Sequence, residues 1–196
     1  MKQSVVFTML LFLLLPCTSL AAQFDVWDTG ITLEQVVEVA RQNNIPLRRS
    51  GIIAADKGFN KRFIDEQFWK ATSVGYVTNL LGVNAKVELL ISPEWPQRLY
   101  EIQVKFTDTQ AASKQFKESL LNMLSDKYGS PQNASRLLHK AYLWEPKDND
   151  QILLTLLSFP ILSYADAQLK AHVEEQRGYK AQDKKKGYIK RDAGKF

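Results

Sequence analysis

Three consecutive segments between residues 74 and 106 alternate apolar and polar side chains. Apolar residues take every second position over 74–80, over 85–91 and over 99–106. Such a period of two is typical of strands with one buried and one solvated face. Short connections at Leu81-Gly82-Val83-Asn84 and at the proline-containing stretch 92–97 separate the segments. We therefore predict a three-stranded antiparallel meander, with Tyr100 on the same face as Ile102, Val104 and Phe106.

Helical patterns lie on both sides of the meander. Thr32 and Gln35 have the spacing of a capping box, followed by apolar residues at helical spacing and by Pro46 after the predicted end. A second helix is predicted to begin after Asp108 or Thr109 and to run to Tyr128, with Gly129 and Pro131 as stop signals.

Further short apolar runs predict the remaining strands. They lie at 141–144, at 152–158 and at 162–164, with a weaker candidate at 51–55; Asp166 can then cap a last helix to about Gln176. Strands grouped in runs around a long helix indicate an α+β fold. We predict one globular domain over residues 23–176 with a single antiparallel sheet: the meander, the helix, then two or three strands, and helices packed on one face. No internal repeat is evident.

Residues 1–22 have the three-part pattern of a secretory signal peptide. Lys2 provides a positive charge, an apolar run covers 5–15, and small residues follow Pro16 up to Ala22. The run is shorter than the roughly 18–20 apolar residues that a spanning helix needs. We expect cleavage after Ala21 or Ala22, export to a bacterial periplasm or else secretion, and no transmembrane helix in the mature chain.

Cys17 raises lipidation as an alternative to simple cleavage. Leu14-Leu15-Pro16-Cys17 resembles a bacterial lipoprotein signal, but proline directly before the cysteine departs from that pattern. The sequence therefore disfavours a lipoprotein. Loss of Cys17 with the signal leaves a mature chain without cysteine, so no disulfide or thiol nucleophile is expected.

Positive charge is concentrated at the C-terminus. Residues 177–196 hold eight basic and two acidic side chains, whereas residues 23–176 hold 17 basic and 19 acidic ones. A polar, lysine-rich tail buries little apolar surface, so we predict a flexible end. An alternative role is binding of anionic envelope components, such as membrane headgroups or cell-wall polymer. The candidate residues are Lys184, Lys185, Lys186, Lys190 and Arg191.

Asp28-Thr29-Gly30 matches the triplet at the catalytic carboxylate of aspartic proteases. Ile31 stands where that family has alanine or serine, and the predicted cleavage site leaves too few residues upstream for the strand that the family requires. A capped helix follows at Thr32. We therefore interpret the triplet as a turn that leads into the first helix, and we predict no catalytic residue there.

Other chemistry-bearing patterns are missing from the sequence. His139 and His172 lack the spacing of metal ligands, and no Gly-x-Ser-x-Gly, Gly-x-Gly-x-x-Gly or P-loop occurs. We predict no metal, cofactor or catalytic residue. Nucleic acid is disfavoured as a partner because no recognition motif accompanies the basic tail.

Aromatic residues are the remaining candidates for a binding site. Trp95, Tyr100 and Trp144 belong to a set that either packs the core or lines a groove for a peptide or lipid-like ligand. The sequence leaves three functions open. The first is an exported, non-enzymatic binding protein that contacts an envelope protein or an anionic envelope component. The second is a carrier that uses an aromatic groove, and the third is an enzyme of unrecognised type.

Overall fold

A computed structural model describes residues 23–49, 73–135, 139–147 and 149–192. The predicted signal peptide and the weak strand candidate at 51–55 lie outside these ranges. The strands are β1 (Gln23–Phe24), β2 (Trp27–Asp28), β3 (Arg48–Arg49), β4 (Ser73–Leu80), β5 (Val83–Ile91), β6 (Leu99–Phe106), β7 (Gln132–Asn133), β8 (Lys140–Lys147), β9 (Asp150–Leu156) and β10 (Pro160–Asp166). The helices are α1 (Leu33–Gln42), α2 (Lys114–Tyr128) and α3 (Ala167–Asp192), with a 3₁₀ turn at Thr109–Ala112.

The fold is α+β, and its main sheet is larger than the one predicted from the sequence. Eight antiparallel strands follow the order β3-β4-β5-β6-β10-β9-β8-β7. β1 and β2 form a separate two-stranded ribbon. The meander is confirmed as β4–β5–β6. The additional strands β3 and β7 are two residues long, which is too short to give an alternating pattern.

The order of elements repeats itself along the chain. Among the described residues, α1 is followed by the short β3 and the meander β4–β5–β6, and α2 is followed by the short β7 and the meander β8–β9–β10. The last strands of the two meanders, β6 and β10, pair with each other at the centre of the sheet. The described part of the chain therefore contains two αβββ units that share one continuous sheet.

One face of the sheet carries the hydrophobic core. α1 contributes Leu33, Val36, Val37 and Ala40, and α2 contributes Leu120 and Leu124. These side chains form one cluster with alternate residues of β4–β6 and β8–β10. Burial of each large aliphatic side chain stabilises the fold by about 1.5–3 kcal/mol, so this cluster determines which face the two helices cover.

A β-bulge changes the orientation of Tyr100. Leu90 pairs with Glu101 and Ile91 pairs with Leu99, so Tyr100 is the extra residue on β6. The extra residue interrupts the alternation, and Tyr100 lies with Glu101 on the outer face, opposite the core. The prediction that Tyr100 faces the core with the rest of β6 is therefore wrong.

The third helix does not join α1 and α2. Its side chains contact Tyr100 and Glu101 on the outer face of the sheet. The prediction that the helices share one face therefore holds for α1 and α2 but not for α3. The helix also continues to Asp192, well beyond its predicted end near Gln176. Of the described helices, none combines the length and apolar character that crossing a membrane requires.

The 109–128 helix is divided into two pieces. Asp108 caps the 3₁₀ turn by accepting a hydrogen bond from the Gln110 backbone, and Ser113 caps α2 by accepting one from the Phe116 backbone. Because Ser113 is the N-cap of α2 and has an extended backbone, a new helix begins there and the 3₁₀ turn does not continue into it. Gly129, at φ +86°, ends α2 as predicted.

Candidate functional site

The Asp28-Thr29-Gly30 stretch forms the turn that leads into α1. Thr32 and Gln35 make both hydrogen bonds of the predicted capping box. Gly30 adopts φ +87°, which favours glycine, and its N–H donates to the Leu99 carbonyl at 2.7 Å. The triplet therefore joins the start of α1 to the start of β6.

Trp27 fixes this turn to the core. Its side chain is fully buried, and its indole Nε1 donates to the Tyr76 hydroxyl at 2.9 Å. Burial raises the pKa of the Tyr76 phenol, and the hydrogen bond from Trp27 opposes part of that rise. The nearby Thr29 hydroxyl is buried and has no hydrogen-bond partner among the described residues. The turn is thus held by the burial of Trp27 together with backbone hydrogen bonds to β6.

Trp144 lies in the core and not in an open groove. Its side chain is 2% exposed, and its Nε1 donates to the Gly129 carbonyl at 2.8 Å. This hydrogen bond ties β8 to the end of α2. Trp144 therefore has a packing role in the structure.

Tyr100 and Trp95 lie apart from Trp144 and from each other. Tyr100 is buried on the outer face, whereas Trp95, on the β5–β6 loop, is 69% exposed. Tyr100 and Trp144 are thus on opposite faces of the sheet, and the structure does not bring the three aromatic residues into one groove.

The first part of α3 is anchored by three polar contacts. Lys170 lies 3.0 Å from Glu101, His172 lies 3.1 Å from Glu94, and Arg177 donates to the Tyr100 hydroxyl at 3.0 Å. Val173, between these contacts, is 2% exposed.

The contact with Arg177 affects the pKa of the Tyr100 phenol. Burial raises the pKa of the Tyr100 phenol, and the adjacent Arg177 guanidinium opposes that rise. The guanidinium also lies 5.8 Å from the centre of the ring. Arg177, the first basic residue of the predicted tail, thereby contributes to the attachment of α3.

Beyond this anchor, α3 carries the candidate anion-binding residues. Gly178 has open space where a Cβ would lie, and Tyr179 is 61% exposed. Residues 180–191, called the basic segment below, contain all five candidates, from Lys184 to Arg191. The structure places their backbone on one helix with the anchored residues.

A groove lies between the β4–β5 turn and the start of α2. Its volume is about 460 Å³, within the range of roughly 300–1,000 Å³ seen for ligand sites. Four apolar residues line it: Leu81, Val83, Phe116 and Met123. Four polar residues complete the lining: Gln110, Ser113, Gln115 and Ser119. This groove could not be predicted from the sequence, because it is formed by a turn and a helix that are far apart along the chain.

Metal-binding geometry is not found among the described residues. No three His, Cys, Asp or Glu side chains in that part of the chain lie close enough together to hold an ion. His172 instead contacts Glu94 and Gln176. His139 is exposed and lies in a different part of the chain.

The fold and these surfaces define a class: an α+β domain with two helices on one face of an eight-stranded antiparallel sheet and a basic helix anchored to the other. Comparison with known proteins adds no family to this description. No protein-family model, curated protein or solved structure is significantly similar to the chain.

Proposed function

We propose that the protein is an exported, non-enzymatic binding protein whose basic segment contacts an anionic component of the cell envelope. The proposal rests on the difference between the two parts of α3, one attached to the sheet and the other rich in lysine and arginine. Its first part is attached to the sheet through Lys170, Val173 and Arg177, and the positive charge lies beyond that attachment. A helix anchored at one end can present its other end to a charged surface.

Charge distribution supports the basic segment as the contact. The body of the protein has slightly more acidic than basic residues, so an anionic surface does not attract it as a whole. Each basic residue near an anionic membrane contributes about 1 kcal/mol of binding free energy. The segment runs for about 18 Å if its twelve residues rise as in an ideal α-helix. Export of the chain rests on the signal-like residues 1–22, and N-terminal sequencing of the exported protein should find Ala22 or Gln23.

Vesicle co-sedimentation tests the proposed contact. We expect the exported protein to bind vesicles that contain phosphatidylglycerol, and not vesicles of phosphatidylcholine alone, at low salt. Replacing Lys184, Lys185 and Lys186 with glutamine should weaken binding by at least about tenfold, since three charges are removed. Added salt should abolish binding through screening.

A variant with the same change in charge provides the control. Lys114, Lys117 and Lys127 lie on α2, and their replacement with glutamine should leave vesicle binding nearly unchanged. Equal loss in both triple variants would show that net charge alone is responsible and would refute the proposal. Binding to purified anionic cell-wall polymer but not to vesicles would identify the polymer as the source of the anion.

A further inference from the structure

Leu81 has an unusual conformation for an exposed leucine. Leu80 pairs with Val83, so Leu81 and Gly82 form a two-residue turn. Their φ values are +53° and +80°, as in a type I′ turn, whose first position favours asparagine, aspartate or glycine. A left-handed conformation is unfavourable for an L-residue such as leucine.

Packing accounts only in part for leucine at this position. The Leu81 side chain is 57% exposed, so its partial burial offsets only part of the unfavourable backbone conformation. Unfavourable backbone conformations that persist in this way are concentrated at binding sites. Leu81 lines the groove beside α2, where its exposed side chain is accessible to a ligand.

The other groove residues define which ligand fits. None of the eight lining side chains carries a charge at neutral pH. Gln110, Gln115 and Ser119 make no side-chain hydrogen bonds to other residues in the part of the chain that the structure describes, so their donors and acceptors are available. Amide side chains offer both kinds of group, as a peptide backbone requires.

The apolar side of the groove suits a side chain of moderate size. Met123, 41% exposed, lines the groove together with the exposed Leu81 and adapts readily to different shapes. Phe116 packs edge-on against Phe106 at 5.1 Å between ring centres, so it forms a fixed part of the lining. Leu81 and Met123 thus offer exposed apolar surface to a bound side chain.

We propose that the groove between the β4–β5 turn and α2 binds an uncharged, extended peptide segment of a partner protein, with an apolar side chain against Leu81 and Met123. A fatty acid fits less well because no cation lines the groove to pair with its carboxylate. The inference goes beyond the proposed function, because it concerns a different surface from the basic segment.

Selection from a display library of random heptapeptides tests this assignment on the purified exported protein. We expect enrichment of peptides with an apolar residue flanked by uncharged ones. Ser119→Trp should fill the groove and weaken binding of an enriched peptide by at least about tenfold, measured by fluorescence anisotropy. Replacing Gln110 and Gln115 together with alanine should have a similar effect through lost hydrogen bonds.

Asn122→Trp is the matched control, because Asn122 is exposed on the same helix but does not line the groove. Its peptide affinity should equal that of the wild type. Failure to enrich such peptides, or equal binding by the Ser119→Trp variant, would overturn the proposal. Binding of a fluorescent fatty acid that Ser119→Trp abolishes would assign the groove to a lipid instead.

Leu81→Asn separates a binding role from a structural one. Asparagine suits the left-handed position, so the Tm should rise by about 2–4 °C, whereas affinity for the enriched peptide should fall by about tenfold. A Tm that falls, or an unchanged affinity, would show that Leu81 is retained for packing and would contradict its proposed contact with the ligand.

Discussion

Glu88 shows how a single carboxylate is stabilised on the outer face of the sheet. It accepts hydrogen bonds from Lys105 and from Lys86, the latter at 3.1 Å. Partial burial raises the pKa of Glu88, but the two hydrogen bonds outweigh that effect and hold the pKa below its ordinary value. Such a group adds stability above its ordinary pKa, and the stability is lost as pH falls through the folded-state pKa.

We expect Glu88→Gln to lower the free energy of unfolding by about 1 kcal/mol at pH 7, because both lysines lose a charged acceptor. The difference from wild type should shrink as pH falls below about 4, where the wild-type carboxyl also becomes protonated. Urea unfolding at pH 7 and pH 3 measures both values. Glu174→Gln, at an exposed position in the interior of α3, is the control. A difference that stays constant with pH would contradict the role assigned to the Glu88 charge.

At the scale of elements, α3 is attached to the sheet by few but specific contacts. Glu101 is 4% exposed, and its carboxylate contacts Lys170 and accepts a hydrogen bond from Gln103 at 2.9 Å. Burying a carboxylate without its cation is unfavourable, so this pair helps to hold α3 in place together with His172, Val173 and Arg177.

Removal of the cation should therefore loosen the whole first part of α3. We expect Lys170→Ala to cost about 1–3 kcal/mol and to speed backbone hydrogen exchange over residues 167–177. Exchange in β4 and β5 should stay unchanged. Gln168→Ala, at an exposed position of the same helix, is the control. Adding Glu101→Gln to Lys170→Ala should recover part of the loss. If the single variant exchanges like wild type, the contacts of His172, Val173 and Arg177 anchor α3 without the Lys170–Glu101 pair.

Elements with a strong periodic signal were predictable from the sequence. α1, with its Thr32 cap, and the strands β4, β5 and β6 follow directly from capping and alternation. The two-residue strands were not predictable because they contain no period. The length of α3 was missed because lysine-rich helical turns have no apolar stripe to mark them.

The surfaces were harder to predict than the elements. Periodicity assigns a side chain to a face only while the register is regular, so the bulge at Tyr100 could not be foreseen. Trp144 is buried because α2 ends beside it, which is a tertiary relation. The unusual position of Leu81 is visible in the sequence, because an apolar residue precedes glycine in a two-residue turn where a polar residue is usual.

At the scale of the whole molecule, the two αβββ units share their core. The two units show no sequence similarity to each other, because a strand requires only that apolar and polar side chains alternate, and many different residues satisfy this. Ile102 on β6 is fully buried between Leu89 of β5 and Tyr164 of β10, so it contacts both units. The buried cluster likewise contains residues from both. Two units with one core should unfold together.

Ile102→Ala tests this cooperativity, because it removes apolar contacts at the junction of the two units. We expect a loss of about 2–5 kcal/mol in the free energy of unfolding, as for other large-to-small core substitutions. In each protein, hydrogen exchange of β5 and β9 peptides at increasing urea should give one common midpoint, and Ile102→Ala should lower that midpoint equally in both strands. Asn79→Ala, at an exposed position of β4, should change neither midpoint. Separate midpoints for β5 and β9 would mean that each unit is stabilised by its own half of the core and that the β6–β10 pairing only joins two independent folding units.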